Sequence, residues 1–569
     1  MNNIDSIKNR PIPLMLGISF IQGILLYALY WLNVENLWPN ESATLIYPLW
    51  TVTLVVPVML LMSLEHGNIK RVLLMTSGFA LLIALLAMYI GSQTEPHDEI
   101  RNKSVIFIFI ISMTIACFKA LMYLQQRAAN LPMSYEVLFT NSWRNFLVMS
   151  LASVFVLAFW LILVLWSQLF SIINIDFFKH YLFEEWFLFP ALSLAYGLGI
   201  VVFRGLLNII DSISRLLQGL IKLLLPFILS ITALFLGSLV FVGVNTLWDT
   251  GTGTLLILWL LAIILFFTNA VYQDGRGEAP YSPTIHRLIY FGLCSMPVLS
   301  LLSLYGLSLR LMQYGWSVER CWAFLIWFSL TLLSIGYTWG IIKRGKEWPL
   351  TLAKVNTNMG LVILALMLLT NSPLLDFRKI SLSSQLARVD SGEVNIIDFD
   401  YIYAKENLAR PGYLLIERLK SEIGDTNPEL LMVLNNPYSK RRGDKQEHFQ
   451  QFWEKLTYRP QHFELPGDLK AKIGQIQRQP HDNYVLFRLD LNNDKQYEYA
   501  LIKYNGRYSY RQEFYYFEND KWHYGLLKFN KATTNNNNIS SKQLLEDNIQ
   551  IVSPKFNSFK IGDMIFKPE

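Results

Sequence analysis

Four groups of residues in this chain have types and spacings that chemistry can use. The first is Tyr272-Gln-Asp274-Gly-Arg276-Gly-Glu-Ala-Pro280-Tyr281, followed by His286 and Arg287. Asp274-Gly275 is a turn signal and Pro280 stiffens the exit. Asp274 and Arg276 are candidates for binding an anionic headgroup or a partner; the competing reading is a turn whose charges only fix topology. The second is Tyr305-Gly-Leu-Ser-Leu-Arg310 followed by Tyr314-Gly-Trp-Ser-Val-Glu-Arg320. Arg310, Tyr314 and Arg320 either face a lipid or substrate, or are interface aromatics and snorkelling arginines. The third is Asp490, Asn492, Asp494 and Glu498, oxygen ligands at alternate positions as in a calcium loop. Lys495 stands where such a loop needs glycine, and no Glu occupies the twelfth place, so a strand-to-strand turn competes with metal binding. The fourth is the set of polar residues inside apolar runs: Lys119, Arg204, Asn269 and Gln22. Ionisable residues there are functional candidates by default, although Lys119 and Arg204 sit near run ends, where snorkelling suffices.

Much else is missing. No GxSxG elbow and no Walker loop occurs, and His448, His462, His481 and His523 are scattered without zinc spacing. No paired carboxylates mark a proton-coupled carrier. No catalytic residue is nominated, and no cofactor is expected.

The elements that must position these groups follow from composition. Of 569 residues, 53% are hydrophobic and only 16% charged, and the mean hydropathy is +0.31. Soluble domains carry about 25% charge. About 54 of the 92 Lys, Arg, Asp and Glu fall in the last third, so two unlike regions share the chain. The net charge of +6 does not indicate nucleic acid, because no basic helix or basic–aromatic repeat accompanies it. Cys117, Cys294 and Cys321 lie in or beside apolar stretches, and the last third has no cysteine for a disulfide or zinc motif.

A bilayer core about 30 Å thick needs about 20 apolar residues in a helix. Runs of that kind cover 12–32, 43–64, 72–91, 104–124, 146–166, 186–207, 223–244, 254–272, 288–309, 321–342 and 355–370, about eleven spans. The first follows Lys8 and Arg10 and lacks a small-x-small cleavage site behind it, so it is expected to span rather than be a cleaved leader. With Lys8 and Arg10 placed in the cytoplasm, that side collects about fourteen Lys and Arg in short loops against five on the other: Arg101, Lys103, Lys179, Arg310 and Arg320. An odd number of spans then puts the tail outside, in the periplasm of a Gram-negative cell.

The expected fold is therefore a polytopic α-helical membrane protein of about eleven transmembrane helices, residues 1–371, with a C-terminal soluble α+β domain, residues 372–569. In that domain the second half of 398–420, 428–434 and 449–456 read as helical. After Tyr484 the chain alternates, and turn signals at Asn492-Asn493-Asp494, Asn505-Gly506 and Asn519-Asp520 predict an antiparallel meander. The Asn-rich 533–538 reads as a loop.

Three stretches resemble a bacterial membrane family known as domain of unknown function 4153. They are Tyr272-Gln-Asp-Gly-Arg-Gly with Pro280-Tyr281; the two Tyr-Gly pairs with Arg310 and Arg320; and Asp376-Phe-Arg378-Lys-Ile-Ser-Leu-Ser-Ser-Gln385-Leu-Ala-Arg388 with Ser391-Gly392 and Phe399-Asp400-Tyr401. The resemblance runs from the middle of the apolar region into the tail and implies no particular activity. Two further features of the family correspond here to Ala409-Arg410-Pro411-Gly412 and 490–498, both departing from its pattern. The third stretch follows the last span, so Arg378, Gln385, Arg388, Asp400 and Arg410 are expected either to dock the tail onto the helices or to face a substrate.

Two functions follow as expectations, with a membrane-bound envelope enzyme as a third and weaker one. One is a non-enzymatic inner-membrane protein whose helices anchor a periplasmic domain that binds an envelope protein or senses an envelope condition. The other is a transporter or lipid-handling protein. Membrane lipids are partners in both, and nucleic acid in neither.

Overall fold

The computed structural model describes residues 10–96, 99–100, 103–173, 175, 177–244, 246–249, 252–273, 280–423, 428–435, 452–461, 463–474, 483–492, 494–504, 509–518, 521–526, 559–561 and 564–566. The chain divides into two compact units, Met1–Asn427 and Pro428–Glu569.

Among the described residues of the first unit, eleven helices are long and apolar enough to cross a membrane. They are α1 (Ile12–Val34), α2 (Ala43–Ser63), α3 (Ile69–Gln93), α4 (Lys103–Ala128), α5 (Tyr135–Ile172), α6 (Glu185–Gly205), α7 (Leu207–Val242), α8 (Gly253–Tyr272), α9 (Pro283–Tyr314), α10 (Val318–Arg344) and α11 (Trp348–Leu369). Each coincides with one run expected from the sequence. Several reach further: the 38 residues of α5 extend about 57 Å at 1.5 Å rise, well past a bilayer core of about 30 Å. Apolarity marks only the part of a helix that lipid surrounds, so the polar extension carries no hydropathy signal.

The helical state satisfies every backbone group internally, which lipid demands. Hydroxyls inside the spans bond back to their own helix, as in Ser19 to Met15 O (3.0 Å), Thr268 to Ile264 O (2.7 Å) and Thr331 to Trp327 O (2.6 Å). Two cores result. Met15, Leu61, Leu64, Val72, Leu121, Val148 and Ile200 join α1 to α6. Leu225, Leu229, Leu261, Leu293, Tyr337 and Trp348 join α7 to α11. Small residues allow close approach. A Cβ on Gly23 would lie 2.4 Å from Pro190 Cα, so α1 and α6 touch backbone to backbone there. Outward-facing side chains such as Phe241 (90% exposed) and Val240 (82%) leave an exposed apolar surface.

After α11 the chain does not leave the helices. Residues 372–423, given by sequence to the C-terminal domain, form the turn Pro373–Leu375, α12 (Phe377–Asp390), α13 (Tyr401–Asn407) and α14 (Ala409–Ile423) within the first unit. The unit boundary thus lies at 427/428 rather than at 371.

The second unit holds α15 (Pro428–Asn435), α16 (Gly467–Gly474) and a five-stranded sheet: β1 (Thr457–Arg459), β2 (Asn483–Leu489), β3 (Glu498–Tyr504), β4 (Ser509–Glu518) and β5 (Lys521–Leu526) in sequential order. β2 to β5 form the antiparallel meander expected, while β1 adds a parallel edge that the sequence reading lacked. β6 (Phe559–Ile561) and β7 (Met564–Phe566) pair separately. One face of the sheet packs Tyr484, Leu486, Tyr499, Leu501 and Tyr515 against Leu469 and Ile473 of α16. On the other face Val485, Phe487 and Ala500 are buried as well. The expected helix 449–456 is helical over 452–455, and its start, the turns at 505–506 and 519–520, and the loop 533–538 lie outside the described residues.

Candidate functional site

The segment after α11 brings together more of the nominated polar residues than any other part of the first unit. It begins with Asp376, the N-cap of α12, whose carboxylate accepts from the Arg378 backbone N–H at 2.9 Å. The Arg378 guanidinium returns to the same carboxylate as a fork, Nε to Oδ1 at 2.8 Å and Nη2 to Oδ2 at 3.0 Å. Tyr89, from the end of α3, donates its hydroxyl to Oδ2 at 2.5 Å. The side chains of Arg378 and Asp376 are 9% and 2% exposed. Burial pushes the Asp376 carboxyl upward, but the Arg378 and Tyr89 donors outweigh it and hold the group below the usual carboxylate range.

α12 then lies along the turn that joins α9 to α10. Ser381, Ser384, Gln385 and Arg388 share one face of the helix at spacings of three and four. Gln385 Nε2 donates to Tyr314 O and Trp316 O, each at 2.9 Å. Ser384 Oγ accepts from Trp316 N at 3.0 Å, and Ser381 Oγ donates to Trp316 O at 3.2 Å. Arg388 donates to Gln313 O at 3.1 Å and pairs with Glu393. Arg320 closes the turn from the other side, donating to Gly315 O at 2.8 Å and lying over the Tyr314 ring. Gly315 has φ +66, and a Cβ there would meet Arg388 Cδ at 3.0 Å. The site needs glycine for both reasons.

A further layer holds α13 and α14. Asp400 caps α13 by accepting from Tyr403 N at 2.8 Å. The Tyr403 hydroxyl accepts from Val318 N at 2.8 Å, and burial raises its phenol above the ordinary value. Arg410 donates to Ser92 O at 3.0 Å. Beside it, Glu95 takes the Ser42 hydroxyl (2.8 Å) and the Thr44 N–H (3.0 Å). Burial raises the Glu95 carboxyl, but these donors and nearby Arg410 bring it below its ordinary value.

The arrangement is a clasp. Gln385 and Arg388 meet the backbone of 313–316, which Arg320 also holds, while Arg378 and Asp400 bond within their own segment. Tyr89, Ser381, Ser384, Tyr403 and Glu95 belong to the same network and were not singled out from sequence. The Asp376 capping position and the hydroxyls at 381 and 384 carried a local signal; Tyr89 and Glu95, distant in the chain, carried none. A small cleft of about 70 Å³ opens beside Asp376 and Arg378, walled by Ser104, Val105, Glu319, Trp322 and Asn371. No nucleophile–base–orienter set lines it.

The remaining nominations fall elsewhere. Arg310 is half-buried on α9, close enough to Arg320 for the two charges to interact. Asp274 and Arg276 lie outside the described residues. Their flanks are fixed: the Tyr272 hydroxyl lies 3.1 Å from His286 Nδ1, and Tyr281 donates to Lys222 O at 2.7 Å. Arg204 donates to Leu61 O (2.5 Å) and Leu64 O (3.3 Å). Asn269 accepts from the Tyr337 hydroxyl and Asn356, both at 2.6 Å, and Gln22 donates to Thr53 O at 3.1 Å. Lys119 is half-buried in α4.

In the second unit, Asp490, Asn492, Asp494 and Glu498 form a turn closed on itself. Their oxygens accept from the N–H groups of Lys495 (3.3 Å), Asp494 (3.1 Å), Gln496 (2.7 Å) and Leu491 (2.7 Å) respectively. Lys495 adopts φ +67, the left-handed conformation that a glycine would otherwise supply. Among the described residues no group of three or more His, Cys, Asp or Glu is assembled to hold a metal.

No family model matches the chain, nor does any curated protein or solved structure.

Proposed function

We propose that this is a multi-pass protein of a bacterial inner membrane whose helices anchor a periplasmic C-terminal α+β unit, and that this unit binds an envelope protein or senses an envelope condition. The observation that carries the proposal is the clasp. Residues 376–410 are fastened to the bundle by backbone carbonyls, backbone N–H groups and the Tyr89 hydroxyl on Asp376, so the chain leaves the helices from a fixed platform. The polar residues that a translocation path would use are engaged in structural bonds: Asn269 with Tyr337 and Asn356, and Arg204 with the end of α2. Orientation rests on the fourteen-to-five bias of Lys and Arg, which places the start of α1 inside and, after eleven spans, residue 370 outside. Kinship with domain of unknown function 4153 belongs to the same proposal and rests on the three stretches described.

Two experiments test it. A reporter fused after Glu569 should be active as a periplasmic enzyme and silent as a cytoplasmic one; the reverse result sinks the orientation. Photo-crosslinking amino acids at exposed Leu491, Tyr497, Phe517 and Tyr524 in cells should give one discrete protein adduct from neighbouring positions. Absence of any adduct, combined with protein-dependent solute movement in proteoliposomes, would replace anchoring with transport.

A further inference from the structure

An apolar pocket of about 270 Å³ lies directly below the clasp. Its walls are Cys321, Phe324, Leu325 and Phe328 of α10, Leu366 of α11, and Leu375, Phe377 and Ile380 of the segment that follows, with Trp316 at the rim. The lining is almost devoid of polar atoms, so water has no partners there. The α10 residues belong to its first three turns and Leu366 to the last turn of α11. The pocket therefore occupies about the outermost 15 Å of those spans. That is the depth at which the acyl chains of one leaflet begin. Phe328 and Ile380 are 39% and 37% exposed, so the pocket opens sideways to where lipid stands. Its walls are held in shape by edge-to-face ring contacts, Trp316 with Phe324 and Trp322 with Phe377.

The rim adds charge. This end of the bundle is the one poor in basic residues, yet two of its five loop cations, Arg310 and Arg320, stand at this turn. Lys379 on α12 is exposed but turns to the other side, its Nζ 5.8 Å from the centre of the Tyr89 ring. The acid beside Arg320 is Glu319, whose carboxylate is engaged by the Tyr403 hydroxyl at 3.3 Å. The Arg320 guanidinium is held by Gly315 O and Tyr314 O over the Tyr314 ring, next in sequence to the rim residue Trp316.

We propose that this pocket seats one acyl chain of an anionic membrane phospholipid, with the headgroup held by Arg320 and Arg310. An acyl chain leaving the bilayer for the pocket exchanges one apolar surrounding for another, so chain burial alone gives little preference. Selectivity must come from the rim, and the occupant is distinguished by its negative headgroup.

The test reconstitutes the full chain in phosphatidylcholine vesicles containing a trace of phosphatidylglycerol with a diazirine in its acyl chain. After illumination, adducts are mapped by mass spectrometry. Labelling should concentrate on 321–328 and 375–380, and the same diazirine on a phosphatidylcholine chain should label them about fivefold less per rim charge engaged. Cys321→Trp, which fills the pocket, should lower labelling about tenfold, whereas Ile342→Trp, which places the same indole on an exposed face of α10, should leave it unchanged. Arg320→Gln should erase most of the preference for the anionic probe. Equal labelling by the two probes overturns the proposal on the unaltered chain, independently of whether any variant folds. So does labelling spread evenly over exposed faces such as 234–242. Crosslinks from 321–328 to residues 428–569 or to a second copy would assign the pocket to protein instead. None of these outcomes depends on the partner of the C-terminal unit.

Discussion

Both ends of the helical bundle bury arginine, Arg10 with Arg204 at one and Arg378 at the other, and they neutralise it differently. At the end where α1 begins, Arg204 meets the carbonyls of Leu61 and Leu64, and its own carbonyl accepts from Arg10 Nη2 at 2.5 Å. The nearest carboxylate, Glu65, is 4.0 Å away and half-exposed. At the opposite end Arg378 forms a two-pronged pair with Asp376, whose second oxygen also takes Tyr89. Arg204 uses the negative end of α2, whose last carbonyls have no helical partner. It ties three helix ends together and needs no acid. Arg378 sits near a helix N-terminus, where carbonyls point away, so a carboxylate must supply the counter-charge. The first arrangement is a tether and the second a lock, and they should fail differently.

The largest effect is expected at the lock. Asp376→Ala leaves Arg378 buried without its partner and should cost about 3–5 kcal/mol, seen as a lowered melting point of the detergent-solubilised protein. The double change Asp376→Leu with Arg378→Met should recover most of that loss, because two apolar residues replace a pair that is costly to desolvate. If the double variant is as unstable as the single one, the pair does more than compensate itself. Next is the tether: Arg204→Met should cost about 1.5–3 kcal/mol by removing charge-assisted bonds to carbonyls, and no second substitution at Glu65 should rescue it. Rescue by Glu65→Gln would show the end to be an ion pair after all.

Acid separates the two ends without mutation. The Asp376 carboxyl titrates lower in the folded protein than in the unfolded chain. Its contribution is therefore complete above the ordinary carboxylate pKa, about 3.9, and is lost as pH falls through the lower folded value. Stability of the native protein should drop on that limb, and Asp376→Asn should flatten it, while Arg204→Met should leave its slope intact. Gln385→Ala, which strips Tyr314 O and Trp316 O of a shared donor, should cost about 1 kcal/mol. The smallest change is expected from Glu393→Ala: Glu393 is 61% exposed, and its pair with Arg388 should contribute less than about 1 kcal/mol, decreasing with salt.

The eleven spans were legible because lipid imposes a length and a composition that a window of sequence registers directly. Their ends were less so: α5, α7 and α9 extend into polar residues that no bilayer rule marks. The clasp was half legible. Its polar residues were visible after the last span, and their two possible roles were stated. That Gln385 and Ser384 meet the turn at 314–316 depended on α12 forming and on its rotation. The meander in the second unit announced itself through alternation and turn residues, but β1, three residues long and parallel, has too few side chains to show a period.

By itself the sequence determined how many times the chain is apolar enough to cross a membrane, and that a second, polar region of mixed α and β structure follows. Those properties are local, set by runs of neighbouring residues against their solvent. Only the tertiary structure decided that residues 372–423 belong with the helices, that Tyr89 and Asp376 share a hydrogen bond across 287 positions, and that an apolar pocket forms between α10, α11 and the segment after them. Such features depend on which helix ends are neighbours and how each is turned about its axis, and packing between distant segments fixes both.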